Sequence, residues 1–450
     1  MAQAIKEQSA YAAAFEAAQT QGAPDWLTRL RADAFARFEQ TGFPTTDEED
    51  WKYTNVAPVA RAPFTLAGTT DEPAADATAE SAAHALAARA YAEAARSRLV
   101  FVNGRYRPDL SALDALPAGA FVADLADALA GPHEALVREH LARAAQVNEQ
   151  ADGFNALNTA FLAHGAFVHL PKGVQLTAPL HLLFLAEPAA GPAFSFPRVL
   201  VVAERESAAT IVESYEATRP GAYVTDAVVE VFVGESARVT HYKVQREDDE
   251  AFHVAATHAE LERYGFYDLT TITLGARLSR HGIRVALAHE GAECRVDGLY
   301  LVATGQHADT HSLIDHVAPH CTSQQLYKGI LDGKARAVFN GKVFVHRDAR
   351  QTDARQTNKN LLLSPEARVD AKPQLEIFND DVKCAHGATV GQLEEEELFY
   401  LLSRGLHPEL ARNLLTYGFA EELVEKIKLP SIKAQLDEAI LNRLRARLEA

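Results

Sequence analysis

Apolar and polar positions follow different periods along this chain of 450 residues, and the changes of period divide it into three parts. Residues 1 to about 95 read mostly as helix, because Ala, Glu, Gln and Arg dominate and helix formers outnumber β-branched residues there. Asp25-Trp26-Leu27 and Phe35-Ala36-Arg37-Phe38 mark amphipathic pieces, and Gly42-Phe43-Pro44 marks a turn. The run Thr46–Tyr53 reads as an acidic helix start that packs Trp51 into a core. Asp71–Glu93 reads as a linker that becomes a helix, and Pro132–Asn158 is helical again. Between them Leu99–Tyr106 is strand-like, with a hairpin signal at Asn103-Gly104.

From about Ala166 to Lys383 the period shortens to that of strands. Val199–Val202, Val228–Val233 and Val343-Phe344-Val345 are β-rich runs, and Ile283, Val285 and Leu287 alternate cleanly. After Gly391 the chain turns helical again, in about four segments. Glu394–Glu397 favour a helix N-terminus, Leu398, Phe399, Leu401 and Leu402 form an apolar face, and Gly405 is a stop. Pro408 and Gly418 bracket the next helix. Ser431 is the expected N-cap of the last, whose stripe is Ile432, Leu436, Ile440, Leu444 and Leu448. That stripe suits either a partner or the chain's own core. The divisions expected are 1–165, mainly helical; 166–390, β; and 391–450, helical.

A phrase recurs within the β region: a turn residue, a small residue, then Arg and an apolar residue. It appears at Gly234–Val239, Gly275–Leu278, Gly291–Val296, Gly333–Val338 and Pro365–Val369. Such recurrence fits stacked coils with equivalent corners. Asn340-Gly341, set between Val338-Phe339 and Val343-Phe344, reads instead as a hairpin and favours an antiparallel sandwich. The pattern alone leaves both architectures open.

Composition narrows the class. With 48% hydrophobic and 23% charged residues the chain is not globally disordered. A net charge of -17 disfavours nonspecific nucleic-acid binding and docking on anionic lipid. No run approaches the roughly 18 apolar residues of a membrane span, and the N-terminus lacks the apolar core of a secretory signal. Three scattered cysteines, Cys294, Cys321 and Cys384, suit a reducing compartment and fall short of a four-cysteine site. A cytoplasmic location is expected.

Asn379–Gly391, where strand gives way to helix, concentrates the candidate chemistry. Cys384 and His386 stand two apart behind Asp380 and Asp381, so on a strand both point to one face. A small buried residue beside a turn histidine is the plainer alternative. Gln306–Cys321 holds His307, His311, His316, His320 and Cys321, with Asp309 and Asp315 between them. That density suits zinc, but spacings of four and five on a strand scatter the side chains over both faces, which favours hydrogen-bonded edge and turn histidines. No P-loop, G-x-S-x-G or H-E-x-x-H occurs.

The phrases from Tyr327 to Gly418 resemble the SufB/SufD family of iron–sulfur cluster assembly proteins, SufD-like members above all. They include Tyr327-Lys328-Gly329, Phe339-Asn340-Gly341, Asp353-Ala354-Arg355-Gln356, Asn360–Ser364, Pro373–Ile377, Asp380–Cys384, His386–Gly391 and Phe399–Gly405. Weaker likeness reaches Trp51-Lys52-Tyr53-Thr54 and Leu170-Pro171-Lys172-Gly173. SufB-like chains typically follow the histidine with Glu-Ala, whereas Gly387-Ala388 follows here, and the cysteine-rich N-terminal motif of many SufB chains is absent.

The resemblance implies a mainly β protein with a right-handed parallel β-helix core and helical N- and C-terminal regions, which removes the hairpin at Asn340-Gly341. It implies a non-catalytic scaffold subunit, with ATP hydrolysis in a SufC partner. A SufB-like subunit would join through the β-helix and the SufC-like ATPase through the C-terminal helices, with a homodimer when the chain is isolated. His386 and Cys384 match the family's positions at the SufB–SufD interface. His386 would there ligate iron of a nascent, transient cluster shared with the partner, or hold a partner thiolate, and no cofactor is expected to stay bound to the isolated chain. The competing readings are a SufB-like scaffold that carries the cluster itself, and a β-helix carbohydrate-active enzyme built on paired acids.

Overall fold

The β-rich runs bounded by turn residues stack as coils rather than folding back on one another. The computed structural model describes residues 2–18, 23–67, 75–146, 152–188 and 193–449. Its core is a parallel β-solenoid in which the chain alternates between two ten-stranded sheets. One sheet carries Ala208–Ala217, Arg238–Arg246, Phe266–Thr273, Glu293–Val302, Thr322–Leu331, Thr352–Leu362 and Val382–Gly391 in that order. The facing sheet carries Tyr223–Val233, Phe252–Leu261, Leu278–Leu287, His307–His316, Arg336–Val345 and Arg368–Ile377. The ladders pair Arg238 with Phe266, Phe266 with Glu293 and Glu293 with Thr322, so one coil takes roughly 30 residues.

The recurring phrase marks the corners. Ser236, Tyr264, Gly291, His320 and Gln351 all have positive φ, and each precedes a small buried residue: Ala237, Gly265, Ala292, Cys321 and Thr352. These small residues stack, since the amides of Phe266, Glu293, Thr322 and Asp353 donate to the carbonyls of Ala237, Gly265, Ala292 and Cys321 at 2.9–3.1 Å. A larger side chain at this inner corner would push the coils apart. The phrases at Gly333–Val338 and Pro365–Val369 form the opposite corner, with Ala335 and Ala367 buried. Gly275–Leu278 lies there too, shifted by one residue: Arg277, not Ala276, stands in line with Gln306 and Ala335.

Asn340-Gly341 is not a hairpin. Both residues lie inside the strand Arg336–Val345, where Asn340 pairs in parallel with His311 and Lys372. Gly341 faces inward, and a Cβ on it would collide with the Gln356 side chain; an inward glycine beside a large neighbour gives the same dipeptide as a turn. Asn103-Gly104 is a true hairpin, with φ of 50° and 76° joining the antiparallel strands Arg98–Val102 and Arg105–Tyr106.

The N-terminal helices cover the outer face of the second sheet. Trp51, in a single 3-10 turn rather than a longer helix, stacks on Phe154 and carries the Arg280 guanidinium 3.7 Å above its ring. Thr54 donates to Asp309 at 2.5 Å. The buried Arg198–Glu230 pair (2.5 Å) fastens the same region, because Glu230 also accepts the amides of Ala142, Ala144 and Ala145.

The C-terminal helices, Glu395–Ser403, Pro408–Val424 and Pro430–Glu449, lie along the first sheet. Ile432, Leu436 and Ile440 pack on Tyr242, Val244, Ile272 and Leu299, so this part of the stripe serves the chain's own core. The side chains of Leu444 and Leu448 lie outside the described residues, as do residues 71–74 of the expected linker. Ser431 is not the N-cap: the helix starts at Pro430, and both the amide and hydroxyl of Ser431 donate to Glu93. Gly418 does not end its helix, which runs on to Val424 with open space around that glycine. Gly405, with φ of 87°, does follow the end of its helix.

Ile440 is fully buried, so Ile440→Ala is expected to cost about 2–5 kcal/mol in urea unfolding. Phe399→Ser, at a side chain 72% exposed, is expected to leave stability unchanged. Equal stability of the Ile440 variant and the parent would show that the tail is not docked on the sheet.

Candidate functional site at the last coil

A parallel coil presents backbone edges at both ends of its stack. At the near end the sheets finish in short antiparallel strands, Arg105–Tyr106 and Phe121–Asp124. At the far end they finish in Arg368–Ile377 and Val382–Gly391, each with a strand neighbour on one side only. These two edges differ. Arg368–Ile377 contains Pro373, which has no amide hydrogen, and its Lys372 and Glu376 are engaged with Glu49 and Lys342 at 2.6 and 2.8 Å. Charges and proline of this kind discourage strand addition. Val382–Gly391 carries a single charged residue, Lys383, and no proline, and from Ala385 onward every residue is exposed. It is a strand edge left open.

Cys384 and His386 both lie on this strand, opposite Ala354 and Gln356 of the preceding coil. Ala354, Gln356, Asn358 and Asn360 are buried and inward-facing, so Cys384 and His386 share the inward side of the last coil. The Cys384 thiol packs against the small cluster of Val343, Val345, Ala349 and Ala354, and burial pushes its pKa upward. It is therefore a protonated thiol at neutral pH, open to solvent on one side. His386 is exposed at the rim.

The other cysteines are structural. Cys321 fills a corner position, its thiol donating to the His289 carbonyl at 3.4 Å, and Cys294 lies in the solenoid interior. The histidines near Cys321 are dispersed. His307 bonds Thr54 at 2.9 Å, His311 meets Asp309 at 3.2 Å, and His316 bonds Ser323 at 2.8 Å inside the coil. Burial alone would raise the Asp309 carboxyl, but Arg280 and His311 outweigh it and hold it well below the usual range. Among the described residues, no group of three or more His, Cys, Asp or Glu is arranged to hold a metal ion.

A second surface adjoins the open edge. No residue of Glu395–Ser403 is buried, and Phe399, Tyr400, Leu410 and Leu414 are more than half or half exposed. The expected apolar face of this helix is thus largely bare. A groove of about 450 Å³ runs between it and the last coils, lined by Leu363, Leu398, Phe399 and Leu402. Exposed apolar side chains grouped in this way mark interaction surfaces.

Comparison with known proteins gives the chain a family. Residues 184–419 match the family described as SUF system FeS cluster assembly, SufBD core domain, and residues 5–182 match the SufBD protein N-terminal region. The chain belongs to the SufBD family of iron–sulfur cluster assembly proteins. It is 37% identical to an iron–sulfur cluster assembly SufBD family protein of Synechocystis, covering 97% of this chain and 94% of that one. It is 31% identical to the iron–sulfur cluster assembly protein SufD of Escherichia coli over 96% of this chain and 95% of the other. The SufD of Bacillus subtilis is 28% identical, with 94% and 95% covered.

Many SufBD phrases in the sequence turn out to be packing devices. Gly329 leaves room for the Tyr300 ring, whose hydroxyl donates to Asn360, and Gly341 leaves room for Gln356. Thr54 of the Trp51–Thr54 phrase reaches Asp309 across 255 positions of sequence. Sequence reasoning missed Gln356 as part of the site, because only the coil register sets it beside His386.

Of the three cysteines, two are buried and Cys384 is half-buried. Iodoacetamide on the native chain is therefore expected to modify Cys384 alone, more slowly than a free thiol and faster as the pH rises. In denaturant all three should react, and native modification of Cys294 or Cys321 would contradict the burial described.

Proposed function

We propose that this chain is the SufD-type scaffold subunit of a SufB–SufC–SufD complex that assembles and transfers iron–sulfur clusters in the cytoplasm. The observation that carries this reading is the open strand Val382–Gly391, uncharged beyond Lys383, with Cys384 and His386 on one face. A SufB-like solenoid with an edge of its own satisfies that strand's free backbone groups, and a second copy of this chain does so when the partner is missing.

The cluster is cargo built at this junction. A cluster takes about four ligands, typically thiolates, and iron accepts imidazole as well. His386 supplies an imidazole and Cys384 stands beside it, so the remaining ligands come from the partner. His386 acts either as an iron ligand or as a donor that steadies a partner thiolate. The chain itself turns over nothing. A SufC-like ATPase docks on the bare apolar face of the tail, at Phe399, Tyr400, Leu410 and Leu414. Relatives named SufD that align with nearly the whole chain support this branch over a SufB-like scaffold.

Two substitutions test the two surfaces separately. His386→Ala is expected to leave complex assembly and ATP hydrolysis intact while cluster formation falls about 10–100-fold, the usual cost of a lost ligand or its supporting partner. Cys384→Ser should have a smaller effect. An intact His386→Ala complex that assembles clusters at the parent rate would remove His386 from the site. Paired Phe399→Ser and Leu414→Ser changes are expected to weaken ATPase binding about tenfold or more, since each buried apolar side chain contributes about 1.5–3 kcal/mol. Unchanged affinity by calorimetry would place the ATPase elsewhere.

A further inference from the structure

The coil beneath the open strand contains an unused hydrogen-bond acceptor. Gln356 faces inward from Thr352–Leu362 and is 1% exposed. Its amide nitrogen donates to Gln325 Oε1 at 2.8 Å, and the Gln325 amide donates to Ser312 Oγ at 2.9 Å. This relay of side chains crosses the interior and fixes which end of the Gln356 amide is left over. The oxygen, Oε1, is buried and has no partner among the described residues. A buried amide oxygen is costly to leave unpaired.

The register places His386 directly beside Gln356. Partners in a parallel ladder stand about 4.8 Å apart with side chains on the same face, so the exposed His386 side chain projects on the same side as the Gln356 amide, one strand away. On the other side the amide packs close against Gly341, where a Cβ would collide with it. The strand Val382–Gly391 ends its sheet, so His386 is the last side chain in this inward column.

We propose that Gln356 is a positioning residue for His386: its free Oε1 accepts one imidazole N–H and so selects the tautomer whose other nitrogen carries its lone pair to the open end. Ligating histidines elsewhere are oriented in this way by a carbonyl or carboxylate behind them. The Gln325–Ser312 relay anchors the amide, and the ring is thereby set before any metal or partner arrives. This deepens the proposed role of His386 as an iron ligand and rests on it for its purpose, but the hydrogen bond itself can be tested without iron.

The test is nitrogen NMR of the full chain labelled at histidine ring nitrogens, at mildly alkaline pH, with the His386 signals identified by their loss in His386→Gln. The parent should show one neutral tautomer at His386. Gln356→Met, which removes the acceptor, should show a mixture of both. Gln356→Glu, which keeps an oxygen there, should restore one. Gly341→Ala, which displaces the amide without altering it, should reproduce the mixture if the Met variant folds poorly. In the full complex, Gln356→Met should lower cluster formation about tenfold and Gln356→Glu should recover most of it. The same tautomer mixture in parent and Gln356→Met, or a single tautomer in both, overturns the inference. A tautomer that follows Gln356 while Gln356→Met complexes form clusters at the parent rate upholds the hydrogen bond and removes ligation from the account of His386.

Discussion

A stack of parallel coils cannot satisfy the backbone at its own ends, and most of what distinguishes this molecule follows from how the two ends are treated. At the near end short antiparallel strands close the sheets, and helices gather against them. The far end keeps one edge blunted by Pro373 and paired charges and leaves the other, Val382–Gly391, without such protection. An exposed edge with a single charge is an aggregation hazard for a lone chain. In the proposed complex this edge is the one the partner covers, and the only half-exposed thiol among the three cysteines lies on it.

The interior is less apolar than a solenoid core needs to be. Glu213 binds His241 at 2.9 Å, Glu247 binds His253 at 2.7 Å, and Lys243 meets His253 at 2.6 Å, all fully buried. Burial pushes Lys243 down to about 8. Buried charges of this sort rarely add net stability over well-packed apolar residues, yet they are costly to mispair. Here they penalise a slip of one coil against the next, which would strand each charge opposite an apolar neighbour. The inward columns ending at Cys384 and His386 depend on that register, because a slip of one residue would turn both outward.

Much of this was legible in the chain. The corner phrase marked real corners, since only small residues fit the inside of the bend, and the positions before Ala237 and Ala292 adopt positive φ. The two-residue spacing of Cys384 and His386 placed them on one face, as strand geometry requires. Asn340-Gly341 misled because a glycine that makes room for a distant side chain is locally indistinguishable from one that turns the chain. The tail stripe was ambiguous in the same way: Ile432, Leu436 and Ile440 face the solenoid, and the bare surface falls on Phe399 and Leu414 instead. Gln356 could not be found at all without the register, because it stands 30 positions before His386 and bonds to Gln325, a further 31 back.

The central claim is that Val382–Gly391 is an edge completed by another chain. Hydrogen exchange of its backbone amides measures this directly, in the isolated chain at low concentration and in complex with a SufB-like subunit. The account predicts fast exchange of the edge amides in the isolated chain and strong protection, by about a hundredfold or more, once the partner is bound. Protection should not spread to Arg368–Ile377 to the same degree. A stable complex in which Val382–Gly391 exchanges as fast as in the free chain would contradict the account, and would place the partner, and with it the cluster site, on another face of the molecule.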